Sequence, residues 1–108
     1  MNPPALVVEH RCRVSVLERE ILWRLEGETL FQISEGLPPF PIPLAEVSAI
    51  RLHYSPTRFQ TGRYRCELKG GRWGAVSIQN EHYRGVADFE DRSETYRALV
   101  LALLHRRA

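Results

Sequence analysis

A chain of 108 residues, 44% hydrophobic and 26% charged, has the composition of one globular domain, which excludes disordered, collagen-like and disulfide-scaffold proteins. Fifteen Lys and Arg against thirteen Asp and Glu leave a formal charge of +2, too small an excess to make nucleic acid the expected partner. Lys69 is the only lysine, so nearly every cation is a guanidinium, suited to planar pairing with carboxylate or phosphate.

Cys12 and Cys66 lie far apart without a CxxC pair, and the opening "MNPPALVVEH" lacks the basic start and small-residue cleavage site of a secretory leader. No stretch approaches the roughly 18 apolar residues that span a bilayer. The expectation is a single cytoplasmic domain over 1–108 with reduced thiols, a flexible N-terminus over residues 1–6 and no transmembrane segment.

Strict alternation runs through the first three quarters of the chain. In "VVEHRCRVSV", from about Val7 to Val16, Val8, His10, Cys12, Val14 and Val16 share one face, as a half-buried strand requires. "ILWRLEGETLFQIS" reads as two strands around a three-residue loop, Glu26-Gly27-Glu28, with Ile21, Trp23 and Leu25 on one face. The prolines of "EGLPPFPIPLAEV" remove backbone donors and restrict that stretch to a loop or an edge segment.

"VSAIRLHYS" then places Ile50, Leu52 and Tyr54 on one side, and "GRYRCELKG" places Tyr64, Cys66 and Leu68 inward against Arg63, Arg65, Glu67 and Lys69. Gly70-Gly71 supply a hairpin turn, and "RWGAVSIQN" follows with Val76 and Ile78 on one face, completing an antiparallel meander from Val47 to Gln79. Beyond Phe89 the period becomes helical: Tyr96, Leu99, Val100, Leu103 and Arg107 fall on one stripe of a helix over 92–107. The class is α+β, mainly β: an antiparallel meander or partly open barrel closed by one C-terminal amphipathic helix.

The dense stretch "EHYRGVADFEDRSETY" reads as architecture. Asp91 and Glu94 have capping-box spacing, Ser93 is a second N-cap candidate, and Phe89 is a staple against Tyr96 or Leu99. Acids at the helix start and His105, Arg106 and Arg107 at its end each contribute roughly 0.3 to 1 kcal/mol through the helix dipole. Gly85 is assigned to a turn between the last strand and the helix.

A hairpin, the proline-led "IPLAEVSAIRL", a meander and the terminal "SETYRALVLALLHRR" together resemble the pleckstrin-homology-like (PH-like) superfold, in particular its small bacterial members, over roughly Glu20 to Arg107. "YSPTRFQTGRYRCEL" with "HYRGVADFEDRSETY" also resembles short uncharacterised proteobacterial proteins, a likeness that brings no activity with it. The PH-like resemblance implies a binding module for inositol phospholipids, phosphopeptides, proline-rich peptides or other proteins, sometimes assembled into rings. Phosphoinositide binders present a Lys/Arg cluster in the first hairpin loop, and "EGE" in that place argues against inositol phosphate.

The candidate ligand-binding residues are Arg58, Arg63, Arg65, Arg72 and Arg84, with His82 and Tyr83 beside them. A rim of guanidinium groups with aromatic neighbours suits phosphate, carboxylate or an acidic peptide, whereas ion pairs to Glu67, Glu81 and Asp88 would make it an ordinary solvated face. Catalysis is not expected. His10, His53, His82 and His105 lack metal-ligand spacing, Cys66 faces inward where burial suppresses a thiolate, and no phosphate loop, GxSxG or nucleotide fingerprint occurs. The sequence therefore points to a non-enzymatic module without metal or cofactor, its partner a protein or a second copy of itself. Anionic lipid at the arginine rim is the alternative, and a small enzyme the remote one.

Overall fold

The computed structural model describes residues 7–14, 18–58, 60–70, 73–85 and 88–107. Residues 1–6, the expected strand end at Val16, Gly71 and the candidate Arg72 lie outside them.

Four strands in chain order form one antiparallel sheet: β1 (Val7–Cys12), β2 (Ile21–Glu26), β3 (Thr29–Ser34) and β4 (Phe40–Pro43). A 3-10 turn over Leu44–Glu46 leads to a three-stranded antiparallel meander of β5 (Val47–Tyr54), β6 (Tyr64–Gly70) and β7 (Gly74–Gln79). A two-stranded hairpin, β8 (Glu81–Gly85) and β9 (Asp88–Asp91), precedes the helix α1 (Ser93–Arg107). The α+β class and the terminal helix are as expected, but the sheets do not close into a barrel.

The hairpin joining β2 and β3 is tighter than its sequence suggested. Glu26 pairs with Thr29, so the loop is the two residues Gly27 and Glu28, and Gly27 takes φ +61°, a backbone conformation open to glycine at little cost. Pro41 and Pro43 sit in β4, where an edge strand leaves the missing N–H groups without consequence.

One core unites the elements. Leu25 and Leu30 from the first sheet, Ile42 from its edge, Leu68 and Ile78 from the meander, and Leu99 and Leu103 from α1 are all fully buried. Each such side chain contributes roughly 1.5 to 3 kcal/mol by leaving water. The helix lies over β1, β2 and the 3-10 turn, and Arg106 fastens its far end by donating to the Gly27 carbonyl at 2.8 Å.

Three local expectations are corrected around the helix start. Phe89 belongs to β9 and packs edge-on against Tyr83, ring centroids 5.7 Å apart, so its partner lies across the β8–β9 hairpin and not on the helix. Gly85 ends β8 and pairs with Asp88, so it belongs to the β8–β9 hairpin and not to a link between the last strand and the helix. The cap is also different: the Asp91 carboxylate accepts the Ser93 N–H at 2.9 Å and the Ser93 hydroxyl, one residue earlier than a capping box demands.

Asn80, between β7 and β8, joins these parts and is 2% exposed. Its Oδ1 accepts the Tyr64 N–H at 2.7 Å, and its Nδ2 donates to the Gly62 carbonyl at 2.9 Å and the Ser93 hydroxyl at 3.0 Å. Its carbonyl takes the Arg92 N–H at 2.7 Å. One amide thus fixes the start of β6 against the start of α1.

Candidate functional site

β5 is an edge strand of its sheet, and α1 runs beside its far half. The strand begins buried at Val47, but alternation alone does not bury the rest of the face. Leu52 is 56% and Tyr54 57% exposed, and Tyr64, directly opposite Tyr54 on β6, is 50% exposed. Alternation put Leu52 and Tyr54 together on one side of β5, and Tyr64 inward on β6. They point toward the helix side, and the helix does not cover them.

The helix explains why. Seven consecutive apolar residues, Ala98 to Leu104, exceed what one core-facing stripe needs. Leu99, Val100 and Leu103 fill the core, while Leu101 and Leu104 on the adjoining flank stay 59% and 39% exposed. Between this flank and β5 lies a groove of about 510 Å³. Of the nine exposed large hydrophobic side chains among the described residues, five line it: Leu52, Tyr54, Tyr64, Leu101 and Leu104.

Its polar groups are few. Among the described residues, Arg97 is the only charged side chain in the lining, with no carboxylate opposing it. His53 also lines the groove, and its Nε2 is buried with no hydrogen-bond partner among the described residues. Asn80, Ser93 and Tyr96 complete the lining; burial pushes the Tyr96 phenol well above its ordinary value, so it stays protonated. The site offers apolar contact, one guanidinium and one imidazole nitrogen. The Ser93 hydroxyl in its lining is held by the Asp91 carboxylate as part of the helix cap.

The candidate arginines separate. Arg63 and Arg65 line a common depression beside β7, whereas Arg84 is paired with Asp88 at 3.1 Å on the β8–β9 hairpin, both side chains more than half exposed. Arg58 stands exposed in the loop between β5 and β6. His82 and Tyr83 are held by the chain just after β1: the Arg13 N–H donates to His82 Nδ1 at 3.0 Å, and the Tyr83 N–H donates to the Arg13 carbonyl at 2.7 Å. The Arg13 guanidinium lies 5.7 Å from the Tyr83 ring centroid. Burial, aided by Arg92, lowers the His82 pKa and keeps Nδ1 free to accept.

His10 is likewise a structural histidine, 1% exposed. Its Nε2 lies 2.7 Å from the Gln79 carbonyl, which can only accept, so the ring carries its proton there and Nδ1 accepts from the Thr95 hydroxyl at 2.7 Å. Burial pushes the Cys12 thiol up to about 12 and the Cys66 thiol up to about 11, which leaves neither as a thiolate nucleophile at neutral pH. No three His, Cys, Asp or Glu side chains among the described residues gather where they could hold a metal ion. No helix among them is long and apolar enough to cross a membrane.

Leu101 and Leu104 were not among the candidates, although the unbroken apolar run across the helix was the signal that would have found them. No family model, curated protein or solved structure matches the chain.

Proposed function

We propose that the chain is a non-enzymatic, PH-like interaction module whose groove between β5 and α1 receives an extended segment of a protein partner. What supports the PH-like reading is the element order, antiparallel sheets of four and three strands and then a terminal helix, although the β8–β9 hairpin comes between the meander and that helix. The convergence of five exposed apolar side chains on one groove at a free strand edge carries the functional one.

An edge strand offers unpaired N–H and C=O groups on which an extended peptide can add a strand, while flanking pockets select alternate side chains. Arg97 without an opposing carboxylate favours a partner that carries an acid among its apolar residues. His53 Nε2 supplies a further polar contact.

Selection from a displayed random peptide library tests this. Enriched peptides should alternate apolar residues with at least one Asp or Glu, and should lose binding to the Leu101→Glu and Tyr54→Ala variants. No enrichment, or enrichment indifferent to both variants, would refute the assignment. Concentration-dependent dimerisation abolished by the same variants would make a second copy of the chain the occupant instead.

A further inference from the structure

A second depression, about 560 Å³, lies where β6 and β7 meet β2 and β3. Part of its wall is apolar, from Ile21, Trp23, Leu37 and Val76. Arg63 and Arg65 also line it, two residues apart and therefore on one face of the β6 segment.

These two guanidinium groups are unusual in the molecule. The Nε of each is buried and has no hydrogen-bond partner, and neither side chain forms an ion pair among the described residues. A buried donor left unpaired costs about 1 to 3 kcal/mol, more when it is charged, and two side by side call for a shared acceptor. The nearby groups do not supply one. Arg19 in the same lining gives its Nη1 to the Glu35 carbonyl at 2.6 Å, and the Glu18 carboxylate, though in the lining, bonds to neither Nε. Glu81 feels the Arg63 charge and its Oε1 is likewise buried without a hydrogen-bond partner among the described residues, but the two form no ion pair.

We propose that this depression binds a small amphipathic anion, its single oxyanion head bridging the Nε–H groups of Arg63 and Arg65 and its apolar body lying against Ile21, Leu37 and Val76. Paired guanidinium donors match the two oxygens of a carboxylate, and the apolar wall excludes a bare inorganic ion as the best ligand. This site is separate from the β5–α1 groove and does not depend on its occupant.

Arginine Nε–H resonances followed by NMR during titration with sodium octanoate test the assignment, with 1-octanol lacking the head and acetate lacking the body. Octanoate should shift the Arg63 and Arg65 Nε–H signals saturably, and octanol and acetate should each bind about tenfold or more weakly. Arg63→Lys and Arg65→Lys keep the charge but lose the planar fork, and each should weaken octanoate about tenfold. Leu101→Glu should leave octanoate binding unchanged. Absence of the two shifts, equal binding of acetate, full binding by both Lys variants, or loss on Leu101→Glu would each overturn the proposal. So would a finding that Glu81→Gln moves the two signals while octanoate does not, because the arginines would then serve Glu81.

Discussion

Tyr54 and Tyr64 face one another across β5 and β6 with ring centroids 5.1 Å apart and planes tilted by 43°, yet both are at least half exposed. A cross-strand aromatic pair stabilises the sheet in its own right, and here the helix flank stops short of covering it. The groove follows from that mismatch. It separates two leucines of the same helix by role: Leu103→Ala should cost about 3 kcal/mol by opening a cavity in the core, whereas Leu101→Glu should change stability by no more than about 0.5 kcal/mol. Urea unfolding of the two variants checks this, and a large loss for Leu101→Glu would mean that the flank is part of the core.

The buried His10 predicts an acid-sensitive fold. Burial lowers its pKa below the ordinary 6.5, against the pull of the Gln79 carbonyl and with Arg92 and His82 adding to the shift, and His82 is lowered for the same leading reason. Below 6.5 the unfolded chain takes up protons that the folded chain refuses, so stability is complete above that pH and falls as pH drops through it. Glu81, raised mainly by burial, acts with the opposite sign just above 4.5 and flattens the fall there. Unfolding midpoints between about pH 8 and 5 should show the loss, and His10→Gln should reduce the slope while lowering stability at the alkaline end.

Asn80→Ala removes three side-chain hydrogen bonds, to Tyr64, Gly62 and Ser93, and should destabilise the fold by about 3 kcal/mol at roughly 1 kcal/mol per bond. Asn80→Asp keeps the acceptor for the Tyr64 N–H and loses the two donor contacts, so it should fall between Ala and the native residue. Hydrogen exchange would report the defect at the Tyr64 N–H and at the first turn of α1.

Two glycines should respond differently to alanine. A Cβ on Gly70 would lie 2.3 Å from Trp73 Cζ2 and 2.8 Å from the Glu46 carbonyl oxygen, so Gly70→Ala must displace the indole and should cost about 2 kcal/mol or more, with a shifted tryptophan emission. Gly27→Ala meets nothing within 4 Å and carries only the strain of φ +61°, about 1 kcal/mol. Thermal melts of the pair distinguish crowding from backbone strain.

The sequence spoke clearly wherever one face is buried throughout. Cys66 and Leu68 in β6, Val76 and Ile78 in β7, and Leu99 and Leu103 in α1 all point where alternation or helical spacing puts them. Period identifies a face but not its cover, so Leu52, Tyr54 and Tyr64 share the inward direction of the core residues and still meet solvent. The β8–β9 hairpin escaped notice because His82, Tyr83, Phe89 and Glu90 are all only partly buried, leaving no apolar alternation, and because the acids of Phe89–Glu94 suit a helix start equally well. Asn80 could not be singled out at all: its partners lie 16 and 13 residues away along with a loop carbonyl, and no local pattern announces them. Of the candidate arginines among the described residues, only Arg63 and Arg65, two residues apart in the sequence, line a common depression.

Amide chemical-shift mapping with a library-selected peptide tests the groove most directly. The account predicts that the largest shifts fall on Leu52, His53 and Tyr54 of β5 and on Arg97, Leu101 and Leu104 of α1, with protection of the β5 edge amides from exchange as a strand is added. Shifts concentrated instead around Arg63, Arg65 and β7, with the β5–α1 groove silent, would contradict it.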